Sequence, residues 1–185
     1  SEGLHPEVSI EMSTKGIKFH ELSLKDALDL AILVEEEAMD RYGELADQMD
    51  IHRTPEAATF FRFMARNEAK HGAELLKRRH QRFGEEPRAV SRTMLFDVEA
   101  PDYDEARAFM SPREAMRSAM RSEVKAHDFF VKALVEIRDA SVKALFSELR
   151  DEELVHQKLI QEQMEKLPPD PSLTTEDFED EPAPQ

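Results

Sequence analysis

The stretch Glu68-Ala69-Lys70-His71 has the pattern Glu-x-x-His, and the same pattern occurs 85 residues later as Glu153-Leu154-Val155-His156. Residues three apart on an α-helix project from the same face, about one turn apart. Both copies also lie on apolar stripes of helical period, which are formed by Phe61, Met64 and Leu75 in the first copy and by Leu149, Ile160 and Met164 in the second. The repeat therefore predicts two helices that each direct a carboxylate and an imidazole into the protein interior.

Two further glutamates, Glu35 and Glu123, interrupt apolar stripes in the rest of the chain. A spacing of seven residues returns to nearly the same side of a helix. The positions at this spacing are Leu28, Glu35, Tyr42 and Met49 in one stretch and Met116, Glu123, Phe130 and Ile137 in the other. We therefore expect one glutamate on the buried side of each of these two helices.

Helix signals divide the chain into two similar halves. Ser23, Thr54, Ser111 and Asp139 are residues that favour helix starts, and Pro55 and Pro112 follow two of them as first helical residues. The predicted helices run from Ser23 to about Asp50, from Thr54 to Phe83, from Ser111 to about Ile137, and from Asp139 to just before Pro168. Glu35 and Glu123 are 88 residues apart, whereas His71 and His156 are 85 residues apart. The two halves therefore differ by three residues in the turn between their first and second helices.

Each half is predicted to be a helical hairpin, and residues 84–110 join the hairpins. This joint is long for a helix connection, and it suits a crossover along the whole bundle. We therefore predict an all-α four-helix bundle made of two helix hairpins joined by a long crossover. The expected domains are an N-terminal extension (1–22), the bundle (23–167) and an acidic, disordered tail (168–185), the last on the basis of composition.

Composition restricts the chemistry of the protein. The chain has five glycines, no tryptophan and no cysteine, so disulfides, thiolate nucleophiles and cysteine-bound iron centres are excluded. The net charge is -15, and removing the six acids of residues 170–185 still leaves -9, which argues against nucleic acid as a partner. With no long apolar run and no signal-peptide pattern, we expect no membrane association and a cytoplasmic protein.

Four buried carboxylates require compensating cations. Two divalent ions balance four negative charges, and mixed oxygen and nitrogen ligands suit iron or manganese. The predicted metal ligands are Glu35, Glu68, His71, Glu123, Glu153 and His156. Taken singly, each histidine has a core or surface role as its alternative, Glu35 competes with Glu36 and Glu37, and Glu152 remains an alternative to Glu153. His127 is a possible reserve ligand, for which a surface role is the stronger interpretation.

These motifs resemble the ferritin-like superfamily, in particular rubrerythrin and bacterioferritin. The resemblance covers about residues 23 to 167 and rests on the two Glu-x-x-His motifs together with Glu35-x-x-Ala38-x-x-x-Tyr42 and Glu123-x-x-Ala126-x-x-x-Phe130. It implies a diiron site in which Glu35 and Glu123 are outer ligands, Glu68 and Glu153 bridge the two irons, and O2 or peroxide binds between them. The residues alone leave the bridging carboxylates open.

The chain also departs from these relatives. It lacks the cysteine-bound iron of rubrerythrins, and Ala126 stands where they carry an extra glutamate. Asn67 stands where bacterioferritins place a haem-binding methionine, so we expect no haem. The Tyr42 hydroxyl could orient a ligand carboxylate, with core packing as its alternative role.

The leading functional hypothesis is a diiron oxidoreductase that oxidises Fe(II) with O2 or H2O2. The alternatives are a peroxide reductase with an external electron donor, a non-enzymatic protein of iron storage, delivery or compartment cargo, and a metal-free helical scaffold. We expect a homodimer, and the hairpins can pair within one chain or be exchanged between two.

Overall fold

Four α-helices pair into two hairpins. The computed structural model describes residues 17–92, 94 and 110–168, and the predicted acidic tail and most of the N-terminal extension lie outside these ranges. The helices are α1 (Leu24–Ile51), α2 (Pro55–Phe83), α3 (Pro112–Glu136) and α4 (Ala140–Lys166), and a short 3-10 helix over Phe19–Glu21 precedes α1. The described ranges contain no strand. The predicted all-α four-helix bundle is confirmed.

The helix starts follow the predicted capping residues. Ser23 Oγ accepts a hydrogen bond from the amide of Asp26 at 3.1 Å, and Ser111 forms a reciprocal capping box with Glu114. Asp139 Oδ1 accepts from the amide of Val142 at 3.0 Å. These bonds satisfy amides that have no partner inside a helix. Thr54 precedes α2 as predicted, but its hydroxyl donates back to the Met49 carbonyl at 2.9 Å and caps no amide.

The helix ends also lie close to their predicted positions. α2 ends at Phe83 because Gly84 has a φ of 56°, which a glycine adopts without strain. α3 ends at Glu136, and Ile137, which the apolar stripe includes, is extended but still buried. Arg53, in the turn between α1 and α2, is the non-glycine residue with a positive φ, 57°, in the described ranges.

The hydrophobic core consists of two clusters at opposite ends of the bundle. One cluster contains the start of α1, the end of α3 and the start of α4, with Leu28, Phe130 and Phe146 among its fully buried side chains. The other contains the end of α1, the start of α2 and the start of α3, with Met49 and Phe61 among its members. The predicted ligand residues lie on the helix turns between these clusters.

The two ends of the connection between the hairpins lie at opposite ends of the bundle. Leu75 of α2 packs in the first cluster and Met116 of α3 packs in the second, so the chain leaves α2 at one end and begins α3 at the other. After Gly84 the chain returns along α1, because Arg88 pairs with Glu36 at 3.3 Å and Arg92 with Glu37 at 2.9 Å. These contacts agree with the predicted crossover. None of the described helices combines the length and apolar character needed to cross a membrane.

Candidate metal centre

Six ionisable side chains meet in the middle of the bundle. Each helix contributes one glutamate, and α2 and α4 add a histidine. The four glutamates are 1 to 3% exposed, and His156 is 1% exposed. The side chain of His71 is the most accessible of the six, at 18%. The structure thus brings all six predicted ligands, Glu35, Glu68, His71, Glu123, Glu153 and His156, into one buried layer.

The histidine nitrogens face the carboxylates. His71 Nδ1 lies 3.4 Å from Glu68 Oε2 and 3.6 Å from Glu35 Oε2. His156 Nδ1 lies 3.0 Å from Glu68 Oε1 and 3.4 Å from Glu123 Oε2. The two imidazole rings are nearly parallel, with centroids 5.6 Å apart. Each ring therefore faces two carboxylates, and Glu68 is common to both.

The side chains form two three-residue groups that share Glu68. In each group the ligand atoms lie within 4.8 Å of one another; the groups are Glu35, Glu68 and His71, and Glu68, Glu123 and His156. Glu68 is therefore the carboxylate placed to bridge two ions. Glu153 belongs to neither group, although its Oε2 lies 4.0 Å from His156 Nδ1. The resemblance assigned bridging to both Glu68 and Glu153, and only Glu68 has the shared position here.

Burial and charge perturb the acid-base properties of this layer. Burial raises the pKa of Glu35 well above its usual range, and the neighbouring Glu68 charge adds to the effect. Burial, with Glu123 beside it, also raises the pKa of Glu153. Burial would raise the pKa of Glu68 too, but the imidazoles of His156 and His71, with Nδ1 atoms 3.0 and 3.4 Å from its oxygens, lower it to about 2. Without metal, Glu68 therefore stays ionised between the two histidines.

The histidines respond in the opposite direction. Burial favours the neutral imidazole, but the carboxylates of Glu35 and Glu68 beside the ring outweigh burial and raise the pKa of His71 to about 9. Burial also favours the neutral form of His156, but the carboxylates of Glu123 and Glu68 beside it outweigh burial and raise the pKa of His156 to about 10. Both imidazoles are protonated at neutral pH in the metal-free layer. A cation that binds there competes with these protons.

The layer contains polar atoms without hydrogen-bond partners, and this observation tests whether metal ions fit. Both carboxylate oxygens of Glu35 and of Glu68, and the Nδ1 atoms of His71 and His156, are buried with no hydrogen-bond partner among the described residues. Buried polar atoms are normally satisfied, because an unsatisfied one loses its hydration without replacement. Coordinated cations satisfy carboxylate oxygens and imidazole nitrogens together. The residues fit two divalent metal ions.

Tyr42 holds one of the predicted ligands. Its hydroxyl donates a hydrogen bond to Glu123 Oε1, and its ring packs on Phe61 with centroids 6.0 Å apart. Burial, followed by the charge of Glu123, raises the pKa of Tyr42 well above its usual range, so the hydroxyl keeps its proton. The expected orienting contact is present, and Tyr42 is buried in the core as well.

The alternative ligands other than Glu152 lie outside the candidate metal groups of the described residues. Glu36 and Glu37 pair with arginines of the crossover. His127 belongs to none of the candidate metal groups in the described residues. Glu152 forms a separate group with His71 and His156. The seven-residue stripe thus selected the glutamate of the 35–37 run that lies inside the bundle.

Sequence reasoning missed Arg41, which lies beside the layer. Its guanidinium donates to Ser122 Oγ at 2.9 Å. Arg41 also lines a narrow cavity between α1 and α3 that reaches Glu35, Tyr42, Glu123 and Glu153. The signal was present but weak, because Arg41 and Ser122 directly precede Tyr42 and Glu123 in the chain.

A family model described as Rubrerythrin matches residues 26–164. The chain belongs to the rubrerythrin family. The match includes all six residues of the buried layer, and the predicted resemblance to ferritin-like proteins is confirmed. No curated protein matches the chain.

Two solved structures resemble this rubrerythrin-family chain. An uncharacterized conserved protein from Magnetospirillum magnetotacticum MS-1 is 31% identical, with a TM-score of 0.70, and the alignment covers 83% of this chain and 100% of that one. A hypothetical protein from Pyrococcus furiosus is 22% identical, with a TM-score of 0.60, and the alignment covers 83% of this chain and 94% of that one. The second likeness supports the fold alone.

Proposed function

We propose that this chain binds two iron ions and oxidises Fe(II) with O2 or H2O2. The observation that carries the proposal is the set of unsatisfied atoms of Glu35, Glu68, His71 and His156, which face one another in two groups joined by Glu68. Family membership supports the same chemistry. Manganese is the alternative metal, because it accepts the same mixed ligand set.

Some residues of the chain would hold the two ions, and others limit the access of water to them. Two ferrous ions held as a pair supply two electrons to one molecule of oxidant. Glu68 lies in both groups and so fixes the two positions relative to each other. Tyr42 keeps Glu123 in one orientation through its hydroxyl. The apolar clusters on either side keep bulk water away from the layer, which strengthens its electrostatic interactions.

The absence of cysteine bears on how the reaction continues. The sequence has no thiolate to hold a second kind of iron centre as an electron inlet. Fresh Fe(II) or an external donor must therefore supply electrons for further turnovers.

Anaerobic Fe(II) titration, followed by separate challenges with O2 and H2O2, tests the proposal. We expect a plateau at two ions per chain, matching the two groups, and oxidation faster than that of free Fe(II). The Glu68→Ala, Glu153→Ala variant should lose the plateau. The Glu35→Ala, Glu123→Ala variant should lose the rate advantage. A plateau at one ion, or equal rates in wild type and variant, would contradict the proposal.

We also propose that the protein is a homodimer. Val124, Val131 and Val135 lie at helical spacing on the outer side of α3 and are 49%, 39% and 78% exposed. Exposed apolar side chains on one face of a helix are suited to contact a partner surface. Light scattering should give about twice the chain mass of 21.3 kDa. A Val131→Lys variant should shift the mass toward the monomer, and a wild-type monomer would contradict the proposal.

A further inference from the structure

A third group of metal-binding side chains lies on the α2–α4 side of the buried layer. One ligand atom from each of His71, Glu152 and His156 lies within 4.8 Å of the others. Glu152 is half-buried, and the His71 side chain is 18% exposed. Glu68, by contrast, is 1% exposed. Through Glu152 and His71 this group therefore reaches toward solvent, while its third member, His156, is 1% exposed and adjoins the inner carboxylates.

The two histidines belong both to this outer group and to the inner ones. His71 is also grouped with Glu35 and Glu68, and His156 is also grouped with Glu68 and Glu123. Both imidazoles have a buried Nδ1 atom without a hydrogen-bond partner among the described residues. An ion held by the outer group would thus be in contact with side chains that also serve the inner positions.

The opposite side of the layer is less suited to cations. The narrow cavity between α1 and α3 leads to Glu35, Glu123 and Glu153, but Arg41 lines it. A guanidinium is always charged and repels an approaching cation. On the α2–α4 side, Glu152 adds a half-buried carboxylate to the outer group. The two approaches to the layer differ in the sign of charge beside them.

We propose that His71, Glu152 and His156 form an entry position that captures a divalent first-row metal ion before it reaches the inner pair. This inference rests on the proposed two-metal function. Glu152 supplies the attracting charge and one ligand oxygen, and the imidazoles favour first-row metals over calcium and magnesium. In this proposal the cavity beside Arg41 admits the small uncharged oxidant, O2 or H2O2.

Anaerobic stopped-flow binding of Co2+, a spectroscopic substitute for Fe2+, tests the entry position without any oxidation step. In a Glu152→Gln variant we expect the same final amount of bound cobalt, reached about tenfold more slowly, because a carboxylate that attracts the ion is lost. Glu148→Gln is the matched control. It makes the same change one turn earlier on α4, at an exposed position outside the metal groups found in the described residues, and it should load at the wild-type rate.

The outcomes separate this inference from the proposed function. If Glu152→Gln loads cobalt at the wild-type rate, or if Glu148→Gln slows loading equally, the entry position is wrong while the inner pair stands. A reduced cobalt plateau in Glu152→Gln would make Glu152 a ligand of the pair and also contradict an entry role. If wild-type protein takes up no cobalt, the proposed two-metal function is contradicted, and the entry position, which depends on it, is contradicted as well.

Discussion

At the scale of single residues, Tyr42 connects the packing of the bundle to the order of its polar layer. Its ring belongs to one apolar cluster, while its hydroxyl donates to Glu123. The second half of the repeat has Phe130 at the corresponding position, which has no hydroxyl to donate. The two halves of the layer are therefore held differently, despite their matching ligands.

Tyr42→Phe should weaken metal binding without lowering the number of ions bound. The substitution keeps the ring against Phe61 and removes only the donor to Glu123. Loss of such an orienting bond costs about tenfold or more in metal affinity. Competition of Co2+ against a chelator would measure this. Phe61→Leu, which disturbs the packing but keeps the hydroxyl, is the control and should change affinity less. Equal affinities for Tyr42→Phe and wild type would remove the orienting role.

Metal binding should release protons, and apparent affinity should rise with pH. The pKa values of about 9 for His71 and about 10 for His156 mean that both are protonated at pH 7 without metal. A metal ligand must be a neutral imidazole. Each histidine therefore gives up a proton on binding, and this competition weakens as pH rises toward 9. Calorimetry at pH 7 in buffers of different ionisation enthalpy would count the protons. Binding without proton release would contradict these pKa shifts.

At the scale of helices, a buried ion pair ties α1 to the end of α2 and to the start of the crossover. Asp29 is fully buried, and its carboxylate accepts hydrogen bonds from Arg79 Nε at 2.9 Å and from Arg79 Nη2 at 3.3 Å. The same guanidinium donates to the carbonyls of Gly84, at 2.8 Å, and Glu86. Lys25 lies 3.5 Å from Asp29. One arginine thus fixes the point where the chain leaves the first hairpin.

Asp29→Asn should destabilise the protein by about 3 kcal/mol, because it leaves the Arg79 charge buried without its counter-ion. Urea unfolding of the metal-free protein, followed by circular dichroism, would measure the change. Asp47→Asn makes the same substitution on the same helix at a side chain that is 80% exposed, and it should cost less than about 0.5 kcal/mol. A loss of the same size in both variants would mean that the Asp29 pair has no special role.

Helix boundaries and the polar layer could be predicted from sequence because their determinants are local. Ser23, Ser111 and Asp139 cap amides three residues away. The apolar residues seven positions before and after Glu35 and Glu123 indicate the buried face of each helix without information from distant segments. The repeat then brought the four helices into one register. Whether metal binds to these six residues remains a prediction.

Contacts between distant segments could not be predicted in the same way. Asp29 lies within an apolar stretch, and nothing near it in the sequence identifies Arg79, fifty residues later, as its partner. From sequence alone, the basic residues at the end of α2 suit the negative end of any helix dipole and indicate no particular partner. In the structure they have specific partners, since Arg82 pairs with Asp139 at 2.6 Å and Arg78 donates to Ser141 Oγ at 2.7 Å. Such pairings depend on how the hairpins meet.

At the scale of the whole molecule, the direct packing is uneven. α1 packs closely along α2, and α3 along α4, whereas the helices of different hairpins approach each other at fewer places. The polar layer is one of these places, because it takes side chains from all four helices. Ions bound there would join the hairpins across the middle of the bundle.

The division of the core by this layer has a consequence for local opening. Without metal, two apolar clusters are separated by a level of ionisable groups with unsatisfied polar atoms, so each end can fluctuate as its own cooperative unit. Amide hydrogen exchange of the metal-free protein should therefore give two classes of protection, with the weakest amides near Glu35, Glu68, Glu123 and Glu153. Binding of Co2+ should merge the classes and slow exchange most at mid-helix. If the metal-free protein exchanged uniformly along its helices, the layer would be no boundary, and the bundle would open as a single unit in either state.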